Sequence, residues 1–282
     1  MKRKSWMAFG FVLMFLFTVL LTGCGNKEGG GGNGADGNSP SEASSALGDI
    51  KSRGKLVVGV KYDTKLFGLK DPASGNVEGF DVDIAKALAK EILGDENKIE
   101  LKEVTSKTRI PMLNNKEIDL IVATMTITEE RKKEVDFSDV YFKAGQSLLV
   151  KKGSPIKSID DIKKGTKVLA VKGSTSVDNI KAKVPDATIL EFDNYQDAFS
   201  ALKAGQGDTL TTDNAILYGM AVQDPNYEVV GEPFTDEPYG IAIKKGATDL
   251  LNSVNEGLKR LHDNGEYDKI YEKWIGKAPS GE

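Results

Sequence analysis

Short apolar runs that read as strands, at residues 56–60, 119–124, 167–171 and 209–212, alternate along this chain with longer stretches of helical periodicity. That alternation restricts the chain to α/β architectures, in which strands pair side by side and the intervening helices cover the sheet. The clearest helix follows Gly79, where Phe80, Ile84, Leu88 and Ile92 recur every four residues with Ala85 and Ala89 beside them, before Gly94 ends it. Asp81 is the expected N-cap, with Phe80 packed just ahead of it. Further on, Leu250, Val254, Leu258 and Leu261 line one helical face, and Tyr267, Ile270, Tyr271 and Trp274 line another.

Residues 49–282 are long for a single core and suit two lobes. Segments 147–152 and 239–245 each read as an apolar strand running into paired lysines and a glycine, and both are expected to cross between lobes. On that reading residues 49–149 and 244–282 form lobe 1, residues 150–243 form lobe 2, and the cleft between them is the place for a ligand. No internal sequence repeat is visible.

Residues 1–23 read as an export signal, with Lys2, Arg3 and Lys4 ahead of an apolar run from Trp6 to Leu21 that is short for a membrane span. The run ends in Leu21-Thr22-Gly23-Cys24, which resembles a bacterial lipoprotein cleavage box and makes Cys24 the expected lipidation site; a lone transmembrane anchor is the alternative. Residues 24–48 are rich in Gly, Asn and Ser and are expected to be a lipid-anchored flexible linker, reaching on the order of 30 Å. Cys24 is the sole cysteine, so no internal disulfide is available. Losing Lys2, Arg3 and Lys4 with the signal takes the formal charge from −4 to −7, which excludes an electrostatic footprint for nucleic acid.

Residues 123–142, ATMTITEERKKEVDFSDVYF, concentrate anion-binding groups at an expected helix start. Thr128 suits the N-cap, and Glu129 and Glu130 suit the positive end of the helix dipole. Arg131 lies there against the dipole. Its guanidinium either pairs with Glu129, Glu130 or Asp136 on the surface, or grips a carboxylate with two parallel hydrogen bonds. Other polar residues occupy loop positions that suit a cleft: Lys61 ends the first strand, Arg109 precedes a short helix containing Pro111, and Thr124 and Thr126 follow the strand beginning at Asp119. Asp213 follows the strand at 209–212 and is either a ligand contact or a helix cap.

The segments VEGFDVDIAKALAKEI, KTRIPMLNN, IDLIVATMTITEERKKEVDFSDVYF, VKGSTS and TTDNAILYG, in this order, together resemble an amino-acid-binding protein of an ABC importer. The resemblance covers essentially the whole globular part. It is strongest to the glutamate and aspartate branch, with glutamine binders close by. It implies a type II periplasmic-binding-protein-like fold, α/β, with two lobes joined by two crossover strands. It further implies that Arg131 clamps the ligand's α-carboxylate, that Asp213 takes its α-ammonium from the other lobe, and that Thr126 and the Ser174, Thr175, Ser176 turn add donors to the carboxylate. Lys61, Arg109 and Thr124 match positions facing the ligand's side chain, and Tyr195 matches a hydroxyl from lobe 2. Phe67 stacks on the ligand's aliphatic part or packs in the core.

Two cations beyond the carboxylate clamp imply a second negative group on the ligand. With glutamine they would lose an ionic partner at a cost of roughly 3 to 5 kcal/mol if fully buried, which predicts about two to three powers of ten in favour of glutamate, and less if water or Asp63 reaches the cations. The expected partners are thus L-glutamate or L-aspartate, with L-glutamine as the alternative, an ABC permease, and the membrane through Cys24. The expected state is a monomer at the extracellular face, without cofactor or metal. An enzyme on the same fold, a dehydratase or a lytic transglycosylase, is the rival class. The sequence supplies little for catalysis, since its single histidine, His262, lies in a C-terminal helix.

Overall fold

A computed structural model describes residues 45–276. The N-terminal helix α1 (Ala46–Arg53) leads into β1 (Leu56–Val60), and a small sheet of β2 (Asp63–Thr64), β3 (Gly68–Lys70) and β4 (Val77–Glu78) precedes α2 (Phe80–Leu93). Then come β5 (Ile99–Glu103), α3 (Arg109–Asn114), β6 (Leu120–Ile121), a 3-10 turn at Arg131–Lys133 and the long β7 (Val135–Ala144). The chain continues through β8 (Gln146–Lys151), β9 (Lys167–Val171), α4 (Thr175–Lys183), β10 (Thr188–Phe192) and α5 (Tyr195–Lys203). It ends with β11 (Thr209–Asp213), α6 (Asn214–Gln223), β12 (Tyr227–Val230), β13 (Glu237–Lys244), α7 (Thr248–Asp263) and α8 (Glu266–Trp274).

Two five-stranded sheets result, one ordered β5-β1-β6-β13-β7 and the other β10-β9-β11-β8-β12. In each, the first three strands are parallel, the fourth runs opposite to them, and the fifth pairs antiparallel with the fourth. The first sheet is covered on both faces. Leu56, Val58 and Val60 of β1 meet α2, α7 and α8 on one side, while Val57 meets Leu113 and Ile118 on the other, which is why LVVGV is apolar throughout rather than alternating. The second sheet packs Leu169 and Leu210 against α5 and α6, and Val168 with Ile180 of α4 on its opposite face. The chain is therefore a two-lobed α/β protein of the expected class.

The crossings between sheets lie elsewhere than expected. Strands β8 and β13 are the fourth members of their sheets, and the chain passes over at Gly145 and through residues 231–236. Segments 147–152 and 239–245 are apolar because each is hydrogen-bonded on both edges inside a sheet, so lobe boundaries at 150 and 243 would cut through strands. At Gly145 a Cβ would lie 2.6 Å from the Thr235 carbonyl oxygen, so the two crossings press together where only glycine fits.

Several local features differ from those the sequence predicts. The cap of α2 falls at Gly79, and Asp81 turns inward instead. Segment 119–124 yields only the short β6. The helix expected after Thr128 is a three-residue 3-10 turn, because Lys132, Lys133 and Glu134 give it no apolar face to bury; Thr128 Oγ1 still accepts from the Arg131 N–H at 3.2 Å. The linker expected to reach residue 48 stops earlier, since Ser45 caps α1 and the Leu47 N–H donates to Asp249 at 2.8 Å. The export signal at 1–23, Cys24 and most of the linker lie outside the described residues.

Candidate functional site

The candidate residues gather where the parallel strands of both sheets end. Lys61 follows β1, Thr124 and Thr126 follow β6, Ser174 follows β9, and Asp213 closes β11, all beyond or at carboxyl ends of strands. Arg109 opens α3, Tyr195 opens α5, and Arg131 reaches across from lobe 1.

Lys61 and Arg109 are buried, 0% and 2% exposed, which is costly for two cations unless charge and hydrogen bonds compensate. Lys61 Nζ donates to Ser106 Oγ at 2.9 Å and lies 5.1 Å from the centre of the Tyr195 ring. Burial pulls its pKa down to about 8. Arg109 donates to the Ala123 and Thr124 carbonyls at 2.6 and 3.3 Å, and burial, followed by Arg131, lowers its pKa to about 9. Arg131 donates to the Thr126 carbonyl at 2.7 Å and, from the other lobe, the Gly173 carbonyl at 3.1 Å. It thus stands between the lobes rather than on the surface with Glu129 or Asp136.

Thr124 has φ of 44°, a left-handed conformation that a β-branched residue adopts only when its surroundings impose it. Asp81 Oδ2 accepts from its N–H at 2.9 Å and Arg109 holds its carbonyl, so two charged side chains clamp this one residue. Asp81 also accepts from the Tyr141 hydroxyl at 2.8 Å. Burial lifts its carboxyl to about 7, against the opposing pull of Lys61 and Arg109.

On the lobe 2 side, Asp213 occupies the N-cap position of α6 yet caps nothing with its side chain; Asn214 Oδ1 accepts from the Ala215 N–H instead. Asp213 Oδ2 accepts from the Tyr239 hydroxyl at 2.6 Å. Burial, followed by the nearby Glu237, lifts this carboxyl to about 7. Ser174 likewise stands at an N-cap position without capping; its hydroxyl donates to the Val171 carbonyl at 2.6 Å, and α4 keeps an uncapped N-terminus. Ser176 donates to Thr212 Oγ1 at 3.3 Å, and Thr212 donates to the Tyr195 hydroxyl at 3.2 Å. Burial raises the Tyr195 pKa to about 12. Thr175 donates to Glu237 at 2.8 Å.

Among the described residues, the buried side-chain polar atoms without a hydrogen-bond partner are Arg109 Nε, Thr124 Oγ1, Ser147 Oγ and Asp213 Oδ1. Each such atom costs about 1 to 3 kcal/mol. Three of these belong together, since Arg109 holds the Thr124 carbonyl and lies in the field of Asp213 from the other lobe. Phe67 does not join them. It is buried at 0% exposure, edge-to-face with Phe80, Phe142 and Tyr239 at 5.9, 5.2 and 6.0 Å, and belongs to the core.

Sequence reasoning missed Asp81, Tyr239 and Glu237. Glu237 accepts from Thr175, Asn179 and Thr235, tying the start of β13 to α4. The signal for Asp81 was present in the second position of an otherwise apolar helix face; no local pattern marked the other two.

The model of the bacterial extracellular solute-binding proteins, family 3, matches residues 56–277. The chain belongs to this family. It is 62% identical over 274 residues to the ABC transporter glutamine-binding protein GlnH of Bacillus subtilis (strain 168), covering 96% of this chain and 98% of that protein. It is 61% identical over 264 residues to the glutamine-binding protein of Geobacillus stearothermophilus, covering 90% and 99%. The solved structure of an ancestral arginine-binding protein bound to glutamine matches with a TM-score of 0.75 at 47% identity, over 80% of this chain and 99% of that one. These relatives are solute-binding proteins, not enzymes, and the glutamate and aspartate branch expected from the sequence is not the one to which this family 3 chain is so similar.

Proposed function

We propose that this family 3 protein is the substrate-binding subunit of an ABC amino-acid importer, that it captures L-glutamine between its lobes, and that Cys24 anchors it by lipid at the extracellular face. The observation that carries the reading is the complementarity of the buried unpartnered atoms to an amino acid. Asp213 Oδ1 is an acceptor for an α-ammonium, Arg109 Nε a donor to a ligand oxygen, and Thr124 Oγ1 can do either. Arg131, with Ser174, Thr175 and Ser176 at the uncapped start of α4, supplies donors for the α-carboxylate.

The choice of glutamine rests on charge balance and on the names of near-full-length relatives. A second ligand carboxylate is called for only where Lys61 and Arg109 lack anionic company, and Asp63 reaches Lys61. The buried Asp81 also stands near Lys61, and Asp213 and Glu237 near Arg131, so the cations already face carboxylates before a ligand enters. A zwitterion with a neutral side chain adds no net charge there, whereas glutamate adds one negative charge to a site already supplied with carboxylates. Calorimetric titration with glutamine, glutamate, aspartate and arginine tests the proposal: glutamine should bind tightest, and heat from glutamate alone would overturn it.

A further inference from the structure

Besides the Arg131 bridge to Gly173, the lobes touch one another through residues of lobe 1 that are not among the proposed ligand contacts. The hairpin residues 63–65 of lobe 1 meet the starts of two lobe 2 helices. Asp63 Oδ2 accepts from the Tyr195 N–H at 2.7 Å, capping the first turn of α5 from the opposite lobe. The Asp63 carbonyl accepts from Gln196 Nε2 at 2.9 Å. Two residues along, the Lys65 carbonyl oxygen lies over Gly219 of α6, where a Cβ would stand only 2.5 Å away. Gly219 lies inside a helix and has no left-handed φ, so its backbone makes no demand for glycine. In a helix interior glycine is disfavoured relative to alanine. The demand comes from the other lobe.

We infer that residues 63–65 form a latch that closes on α5 and on a notch at Gly219, and that this latch, outside the ligand-contact set, determines ligand affinity. Ligand bridging both walls favours the closed form, and every protein contact made only in that form adds to the observed affinity. Gly173 at the same seam is a poorer probe: a Cβ there would lie 2.9 Å from Lys107 Cα, but its φ of +77° already disfavours other residues. Gly219→Ala changes nothing in an open molecule except helix propensity, which it improves. In the closed molecule it drives a methyl group into a backbone carbonyl.

The inference rests on the glutamine reading only for its probe. Glutamine is titrated calorimetrically into the wild type, Gly219→Ala and Asp63→Ala, and ligand-free melting and X-ray scattering with saturating glutamine are recorded for each. Gly219→Ala should bind at least about tenfold more weakly, melt without ligand at or above the wild-type temperature, and remain more expanded with glutamine. Asp63→Ala, which removes the cap on α5 and its charge near Lys61 but leaves the backbone contacts of the latch, should release ligand faster with little change in association rate. Wild-type affinity in both variants would overturn the latch, as would weak binding by Gly219→Ala accompanied by a clearly lowered ligand-free melting point. Should the wild type take glutamate or arginine instead of glutamine, the substrate reading falls and the same comparison is made with that amino acid.

Discussion

Asp213 shows how a residue's role is settled by what its side chain leaves undone. It stands where a cap belongs, gives that task to Asn214, and keeps Oδ1 unpartnered in the field of Arg131 and Arg109. Replacing it by Ala should weaken glutamine binding by about two powers of ten or more, as should Arg131→Ala, with ligand-free melting little changed for the partly buried arginine. Protonation has a defined direction. With the carboxyl lifted to about 7 by burial and by Glu237, a neutral Asp213 cannot pair with an ammonium, so the ligand must bind the ionised form. Affinity is therefore held above neutrality and declines as pH falls below about 7, and titrations near pH 6 in buffers of different ionisation enthalpy should register proton release on binding. A flat profile between about pH 8 and pH 5 would contradict this. The polar residues chosen from sequence do converge, because loop positions after strands are legible one by one. Compensation of Lys61 by Asp63, two residues away, was legible, whereas that by Asp81 and Glu237 was not, since it depends on residues far apart in sequence meeting in space.

At the level of elements, α2 joins the first sheet to α7, and Leu88 lies at that junction, fully buried, with its Cδ2 where a Cβ on Gly257 would come within 2.8 Å. Leu88→Ala should cost about 2 to 5 kcal/mol in urea unfolding with an unchanged slope. Glutamine affinity of the folded fraction should be preserved, separating core from site. Elements whose burial is one-sided or complete were easy to read: β1 and β9 fall where the apolar runs placed them, and α2 and α7 where the period of four placed them. The crossings were misplaced because an apolar strand ending in lysines looks alike whether it bridges two sheets or lies within one. The true crossing at Gly145 is marked only by close approach to Thr235, a contact between distant residues.

For the whole molecule, a ligand bound only by the folded, closed form should raise its melting point. Glutamine at one hundred times its dissociation constant should add about 2.7 kcal/mol of stability, while an amino acid that does not bind adds none. Lipid attachment is checked separately by labelling cells with palmitate: wild type should incorporate it and Cys24→Ala should not. The sheet topology carries a last consequence. Each sheet takes its fourth strand from a segment that has just returned from the other, β8 after β7 and β13 after β12. The lobe whose sequence begins first is therefore completed last, since its sheet lacks an interior strand until Lys244 has left the ribosome. A nascent chain stopped anywhere before that point holds an unfinished first half, and the protein must acquire its architecture as one object rather than lobe by lobe.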